Sequence, residues 1–191
     1  MKKIIKISNI SSPLKLTSKK FKKQLTPIKM LILDVDGILT NGIIYYSGSE
    51  IEFNRYFHTF DGYILKTLMK LGIKVGIISG GNSVGLCKRI EYLKIDPQYV
   101  FLGNEDKRKA YLEIKKIANL SDKEICYMGD ELYDIPLLNR AGFSATVPDA
   151  PAEVKAFATY ITKRKAGEGA VREVADLIRY AQGLHPEIED F

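Results

Sequence analysis

Met30-Leu31-Ile32-Leu33-Asp34-Val35-Asp36-Gly37 and Ile125-Cys126-Tyr127-Met128-Gly129-Asp130-Glu131-Leu132-Tyr133-Asp134 are the stretches that decide how this 191-residue chain folds. Each is a short apolar run that stops at acidic side chains. Such runs, bounded by turn residues, read as strands buried on both faces of a parallel sheet. In an open α/β sheet, ligands bind at the carboxyl ends of the strands. Side by side, these two strands bring four carboxylates into one crevice. Like charges that close require a metal, a proton or basic partners. The two clusters are therefore the main functional sign in the sequence.

Outward from them, strands and helices alternate. The pattern predicts strands over 30–35, 73–78, 99–102, 125–128 and 143–147, with a short strand end at 160–161. Helices are expected over 61–71, 83–93, 105–118, 132–140, 152–158 and 171–182, the fourth with Pro136 in its first turns. Segments 43–46 and 51–57 flank Ser47-Gly48-Ser49-Glu50, which has turn chemistry, so a β-hairpin follows the first strand. The fold class is α/β: a doubly wound, mostly parallel sheet with one inserted hairpin. Residues 30–182 read as one domain, 183–191 as a tail, and 165–170 as a flexible loop.

Composition is that of a soluble globular protein, with 46% hydrophobic and 27% charged residues. No apolar run is long enough to span a membrane. Cys87 and Cys126 read as reduced thiols of a cytoplasmic protein. The net charge of +6 is carried by the leader: residues 1–29 hold nine lysines and no acid, leaving about −3 for 30–191. The leader is expected to be a solvated extension with a lead-in helix over 18–25, ended by Pro27, and not a nucleic-acid or membrane anchor.

The chemistry follows from residue types at successive strand ends. Asp34 and Asp36 lie two apart, on one side of an extended strand end. One carboxylate can attack phosphorus, and a second can donate and later accept a proton. Carboxylates suit Mg²⁺, which offsets their repulsion of a phosphate. Asp130 and Asp134 could complete the cation site. Ser79 with Gly80-Gly81 offers a hydroxyl and backbone N–H groups to phosphate. Lys107 offers a point charge. Taken singly, the Asp pair is as readily a cap or turn, Ser79 with its glycines an ordinary helix-start loop, and Lys107 a surface lysine. The ordered set Asp-x-Asp, Ser, Lys, Gly-Asp is what carries the argument.

This set resembles the haloacid dehalogenase superfamily of phosphatases, with Rossmann-like folds. Within it, the chain resembles the small capless type that acts on 3-deoxy-D-manno-octulosonate 8-phosphate. The marks are 34–42 (DVDGILTNG), 57–62 (FHTFDG), 77–81 (IISGG), 127–130 (YMGD) and 167–173 (GEGAVRE). The resemblance implies that Asp34 is nucleophile and Mg²⁺ ligand, and that Asp36 is general acid/base with its backbone carbonyl on the metal. Asp130 would be the third ligand, with Asp134 in its outer sphere. Ser79, Gly80 and Lys107 would hold the phosphoryl group. It also implies a homotetramer through the 43–57 hairpin, whose Tyr45, Tyr46, Phe53, Tyr56 and Phe57 need a partner surface. The C-terminal segment, 167–170 and the tail, can reach a neighbouring site in such tetramers. His58 is read as a hairpin packing or interface residue.

Departures bear on the substrate. Many relatives carry Asp at Asn41, Asp at Glu131 and a substrate-contacting Arg at Gly81. Candidate substrate residues are Thr40, Asn41, Arg55, Asp61, Gly81 and Arg172; Lys66 and Arg89 are other cations considered. For Arg55, Lys66, Arg89 and Arg172, surface charge is the favoured reading. A nine-carbon sugar acid 9-phosphate (acylneuraminate or deaminated neuraminate type) and a non-catalytic tetramerisation module remain as alternatives.

Overall fold

A computed structural model describes residues 3–104 and 106–190. Its main sheet has six parallel strands: β1 (Met30–Leu33), β4 (Lys74–Ser79), β5 (Val100–Leu102), β6 (Ile125–Met128), β7 (Phe143–Thr146) and β8 (Tyr160–Ile161). Their order is β5-β4-β1-β6-β7-β8. β1 pairs in register with β4 on one side (Leu33 with Ile77) and β6 on the other (Leu33 with Met128). All residues of β1 and β6 are buried, which explains their unbroken apolar runs. The chain winds to opposite sides of β1, so its carboxyl end is the switch point where a crevice opens.

Helices α3 (Thr59–Lys70), α4 (Val84–Leu93), α5 (Lys107–Ala118), α6 (Ile135–Leu138), α7 (Ala152–Phe157) and α8 (Ala170–Ala181) complete the domain. The inserted hairpin pairs β2 (Ile44–Tyr46) with β3 (Phe53–Arg55) as a separate two-stranded sheet. The expected 132–140 helix is instead a 3₁₀ turn, Leu132–Asp134, followed by the one-turn α6. Pro136 accounts for the difference: it has no N–H to give Leu132 O an α-helical bond, and that carbonyl accepts from Ile135 N in a 3₁₀ bond instead. The expected helix start at Glu105 lies outside the described residues; α5 begins after Asp106, whose carboxylate accepts from Arg108 N at 3.2 Å.

The leader departs from expectation. Its helix is two pieces, α1 (Pro13–Lys20) and α2 (Lys22–Leu25), separated at Phe21. Ser12 caps α1 and Pro13 occupies its first turn, a start signal for a helix five residues earlier than 18–25. Nor is the segment a merely solvated extension. Leu25 and Ile28 belong to the core, and Gln182 Nε2 donates to both their carbonyls. Ile5 N donates to Ile188 O at 2.8 Å, so the leader also pairs with the C-terminal tail. Both cysteines are free thiols. Among the described residues, no helix is long and apolar enough to cross a membrane.

Candidate active site

The site is assembled at the ends of β4, β1 and β6. Asp34 is the first residue beyond β1 and is buried; its Oδ1 accepts from Val35 N at 2.7 Å. Residues 35–39 then turn, with Val35 O accepting from Ile38, Leu39 and Thr40. Asp36 therefore sits in a turn rather than on an extended strand, and the same-side spacing argument does not apply to it. Gly37 makes the turn possible: its φ is +86°, and a Cβ there would lie 2.0 Å from Asp130 Oδ2.

Lys107, at the start of α5, has a fully buried side chain. Its Nζ donates to Asp134 Oδ1 at 2.7 Å and lies 2.9 Å from Asp34 Oδ2. The latter contact is an ion pair that pulls the Asp34 carboxyl down against the effect of its burial. Tyr133 covers the ammonium, 4.3 Å from ring centre to Nζ. Asp134 also accepts from Tyr127 OH at 2.6 Å, and from the Asp130 and Glu131 amides at 3.0 and 3.1 Å.

Asp34, Asp130 and Asp134 each offer a carboxylate oxygen within 4.8 Å of the others. Geometry alone would make all three metal ligands. The hydrogen bonds say otherwise for Asp134, because four donors fill a carboxylate's acceptor capacity. Asp130 Oδ1, by contrast, is buried with no hydrogen-bond partner, whereas Asp34 Oδ2 is engaged by the Lys107 ammonium. An unpartnered buried oxygen on Asp130, with the Asp34 carboxylate within 4.8 Å, fits a hard divalent cation. Burial pushes the Asp34 carboxyl up to about 7, against the pull of Lys107. Burial and repulsion from Asp34 and Asp134 push Asp130 up to about 8. The Tyr127 hydroxyl is held well above its usual range by burial and by Asp134, so it stays a donor.

Ser79 ends β4, buried, and its Oγ accepts from Gly81 N at 3.1 Å. Its own proton is left free for a phosphate oxygen. Gly80 is exposed beside it. Asp36 is gripped in bidentate fashion by Arg55 of the hairpin, Nε to Oδ1 at 2.5 Å and Nη2 to Oδ2 at 2.8 Å. Arg55 is buried, which overturns its reading as a surface charge. Asp36 thus stands apart from the other carboxylates: three converge, not four. Buried Thr40 lies 3.4 Å from Asp36 Oδ1. Asn41 lines a cavity of about 370 Å³ with Gly37, Gly42, Asp130, Lys165 and Glu168.

Asp61 and Arg172 have other work. Asp61 Oδ1 accepts from Arg172 N at 2.6 Å, capping α8 from a distance, and burial raises its carboxyl. The Arg172 side chain pairs with Asp176. His58 caps α3, its Nδ1 accepting from Phe60 N. Tyr127 was not singled out from sequence. A tyrosine in an otherwise aliphatic buried strand must find a partner for its hydroxyl, and that was the available signal.

Comparison with known proteins places the chain in a family. A family model described as haloacid dehalogenase-like hydrolase matches residues 100–174. The 3-deoxy-D-manno-octulosonate 8-phosphate phosphatase of Haemophilus influenzae is 37% identical over 161 residues, spanning 84% of this chain and 88% of that protein. The chain belongs to the haloacid dehalogenase-like hydrolases. Its place there is in the phosphatase family of that relative, and it is a phosphomonoesterase. The cobalt-bound structure of the Haemophilus influenzae phosphatase superposes with a TM-score of 0.79 at 38% identity, covering 84% of this chain and 92% of that one. The Moraxella catarrhalis phosphatase, in complex with magnesium, phosphate and the sugar acid, gives 0.81 at 34%, covering 86% and 93%. In this hydrolase, Asp34 and Asp130 could hold a divalent cation.

Proposed function

We propose that this hydrolase is a Mg²⁺-dependent phosphatase that converts 3-deoxy-D-manno-octulosonate 8-phosphate to the free sugar acid and phosphate through an aspartyl-phosphate on Asp34. The observation that carries the reading is buried Asp34, paired with Lys107 and within 4.8 Å of Asp130, whose Oδ1 is buried and unpartnered. The named substrate of the Haemophilus influenzae relative and the sugar acid in the Moraxella catarrhalis complex support the substrate class.

Asp34 attacks phosphorus, and the bond from phosphorus to the sugar oxygen breaks. Asp36 gives its proton to that oxygen. In the second half Asp36 takes a proton from water, whose oxygen attacks phosphorus and frees phosphate and Asp34. Lys107, Ser79 and the Gly80 backbone hold the phosphoryl oxygens, while Asp134 and Tyr127 keep Lys107 aimed. Mg²⁺, when bound by Asp34, Asp130 and the Asp36 carbonyl, offsets the repulsion between carboxylates and phosphate dianion. Residues 30–182 form the catalytic domain in this reading. Exposed Ile43, Ile44, Tyr46, Phe53 and Tyr56 on the hairpin support assembly into a homotetramer.

A panel of sugar phosphates tests the substrate. The eight-carbon acid should show the highest kcat/KM. A nine-carbon acid phosphate leading the panel would overturn the assignment.

A further inference from the structure

Arg55 is an unusual cation for an exposed hairpin. Its side chain is 3% exposed, and nearly all its donors are engaged. Nε and Nη2 take the two oxygens of Asp36; Nη1 donates to Phe53 O at 3.1 Å and Ser83 Oγ at 2.9 Å. A guanidinium fixed at four points is not free to roam toward a ligand. It is a clamp, joining the hairpin, the cap of α4 and one catalytic side chain.

The seat of this clamp is Gly81. A Cβ at position 81 would lie 2.5 Å from Arg55 Nη2, 3.4 Å from Asp36 Oδ2 and 3.5 Å from Ser79 Oγ. The clash is with the far end of a flexible side chain. Gly81 is also absent from the positive-φ glycines, so alanine there strains no backbone. A methyl at 81 therefore displaces the guanidinium and leaves the fold intact.

We infer that Arg55 is a positioning residue that aims Asp36 at the leaving oxygen, and that Gly81 keeps the space Arg55 needs. The inference rests on the proton-donor role given to Asp36 above. Through Arg55 the order of the hairpin is coupled to proton transfer. Whatever steadies the hairpin steadies the general acid.

Leaving-group dependence tests this, because a poor alkoxide leaving group needs a proton and a good one does not. Arg55→Ala, Gly81→Ala and the double variant are compared on a sugar phosphate and on para-nitrophenyl phosphate by single-turnover release of the alcohol, because Asp36 serves hydrolysis of the intermediate whichever ester formed it. Each single variant should lose about tenfold or more in that rate on the sugar phosphate, part of the roughly 10²–10⁴ that proton transfer supplies. The half-saturating substrate concentration should hold, and the loss on the aryl ester should be much smaller. The double variant should lose no more than the worse single one, since both remove one interaction. Added guanidinium ion should restore Arg55→Ala in part, and Arg55→Lys should fall between Arg55→Ala and wild type. Equal losses on both esters, or full sugar-phosphate activity in Gly81→Ala, would overturn the inference. Asp36→Asn is the control: if it loses both esters equally, the donor role of Asp36 fails instead.

Discussion

Replacing Lys107 by methionine isolates the charge balance of the site. The methionine fills most of the volume but removes the ammonium lying 2.9 Å from Asp34 Oδ2 and 2.7 Å from Asp134 Oδ1. Three carboxylates with oxygens within 4.8 Å of one another are then left without their buried cation. Breaking a buried pair from one side costs about 3–5 kcal/mol. For a chain of this size each kcal/mol moves Tm by about 2–4 °C, so the metal-free variant should melt roughly 6–20 °C below wild type. A divalent cation at 100 times its Kd adds about 2.7 kcal/mol, so Mg²⁺ should recover about half to nine-tenths of that loss. Turnover should not recover, because Lys107 also meets the phosphoryl charge. Thermal unfolding followed by circular dichroism, in chelator and in Mg²⁺, reads the first two, and a phosphate-release assay reads the third. A chelator-treated variant melting with wild type would refute the reasoning.

Asp130→Asn should weaken cation binding at least roughly 10–100-fold, the scale for losing even an outer-shell partner, by titration calorimetry. With the cation chelated, stability should fall as pH rises. Asp34 and Asp130 titrate near about 7 and about 8 in the folded protein against 3.8 otherwise. Between about pH 4 and about pH 8 the unfolded chain thus binds fewer protons, and stability drops by up to ~1.4 kcal/mol per unit per group before levelling. Urea midpoints in chelator should follow that slope, and added Mg²⁺ should flatten it by displacing the same protons; a level profile in chelator would contradict the burial of both groups. Asp61→Ala should cost about 0.5–2 kcal/mol through loss of the α8 cap, with kcat and KM unchanged. A raised KM would return Asp61 to the substrate site.

The parallel core was legible because its signal is one-dimensional. Apolar runs at 30–33 and 125–128, each followed within two residues by Asp, read as buried strands, and their pairing brings Asp34 and Asp130 together. Lys107 and Ser79 were legible as an ordered set. What the sequence hid depends on side-chain reach. Nothing in Phe53-Asn54-Arg55 says that this arginine turns inward to Asp36 and that Gly81 makes room for it. The acceptor capacity of Asp134, filled by Tyr127, Lys107 and two amides, is equally a tertiary fact. The break in the lead-in helix at Phe21 follows from packing: its ring meets Phe143 and Tyr160 edge-on, at 5.5 and 5.8 Å.

The central claim is that Asp34 takes the phosphoryl group. Acid-quenching the enzyme during turnover with Mg²⁺ and a sugar phosphate, then mapping peptides by mass spectrometry, tests it most directly. The account predicts a phosphoryl adduct on Asp34, absent without Mg²⁺ and absent in Asp34→Asn, which should be folded and inactive. Mg²⁺-dependent phosphate release by Asp34→Asn, or an adduct on another residue, would contradict it.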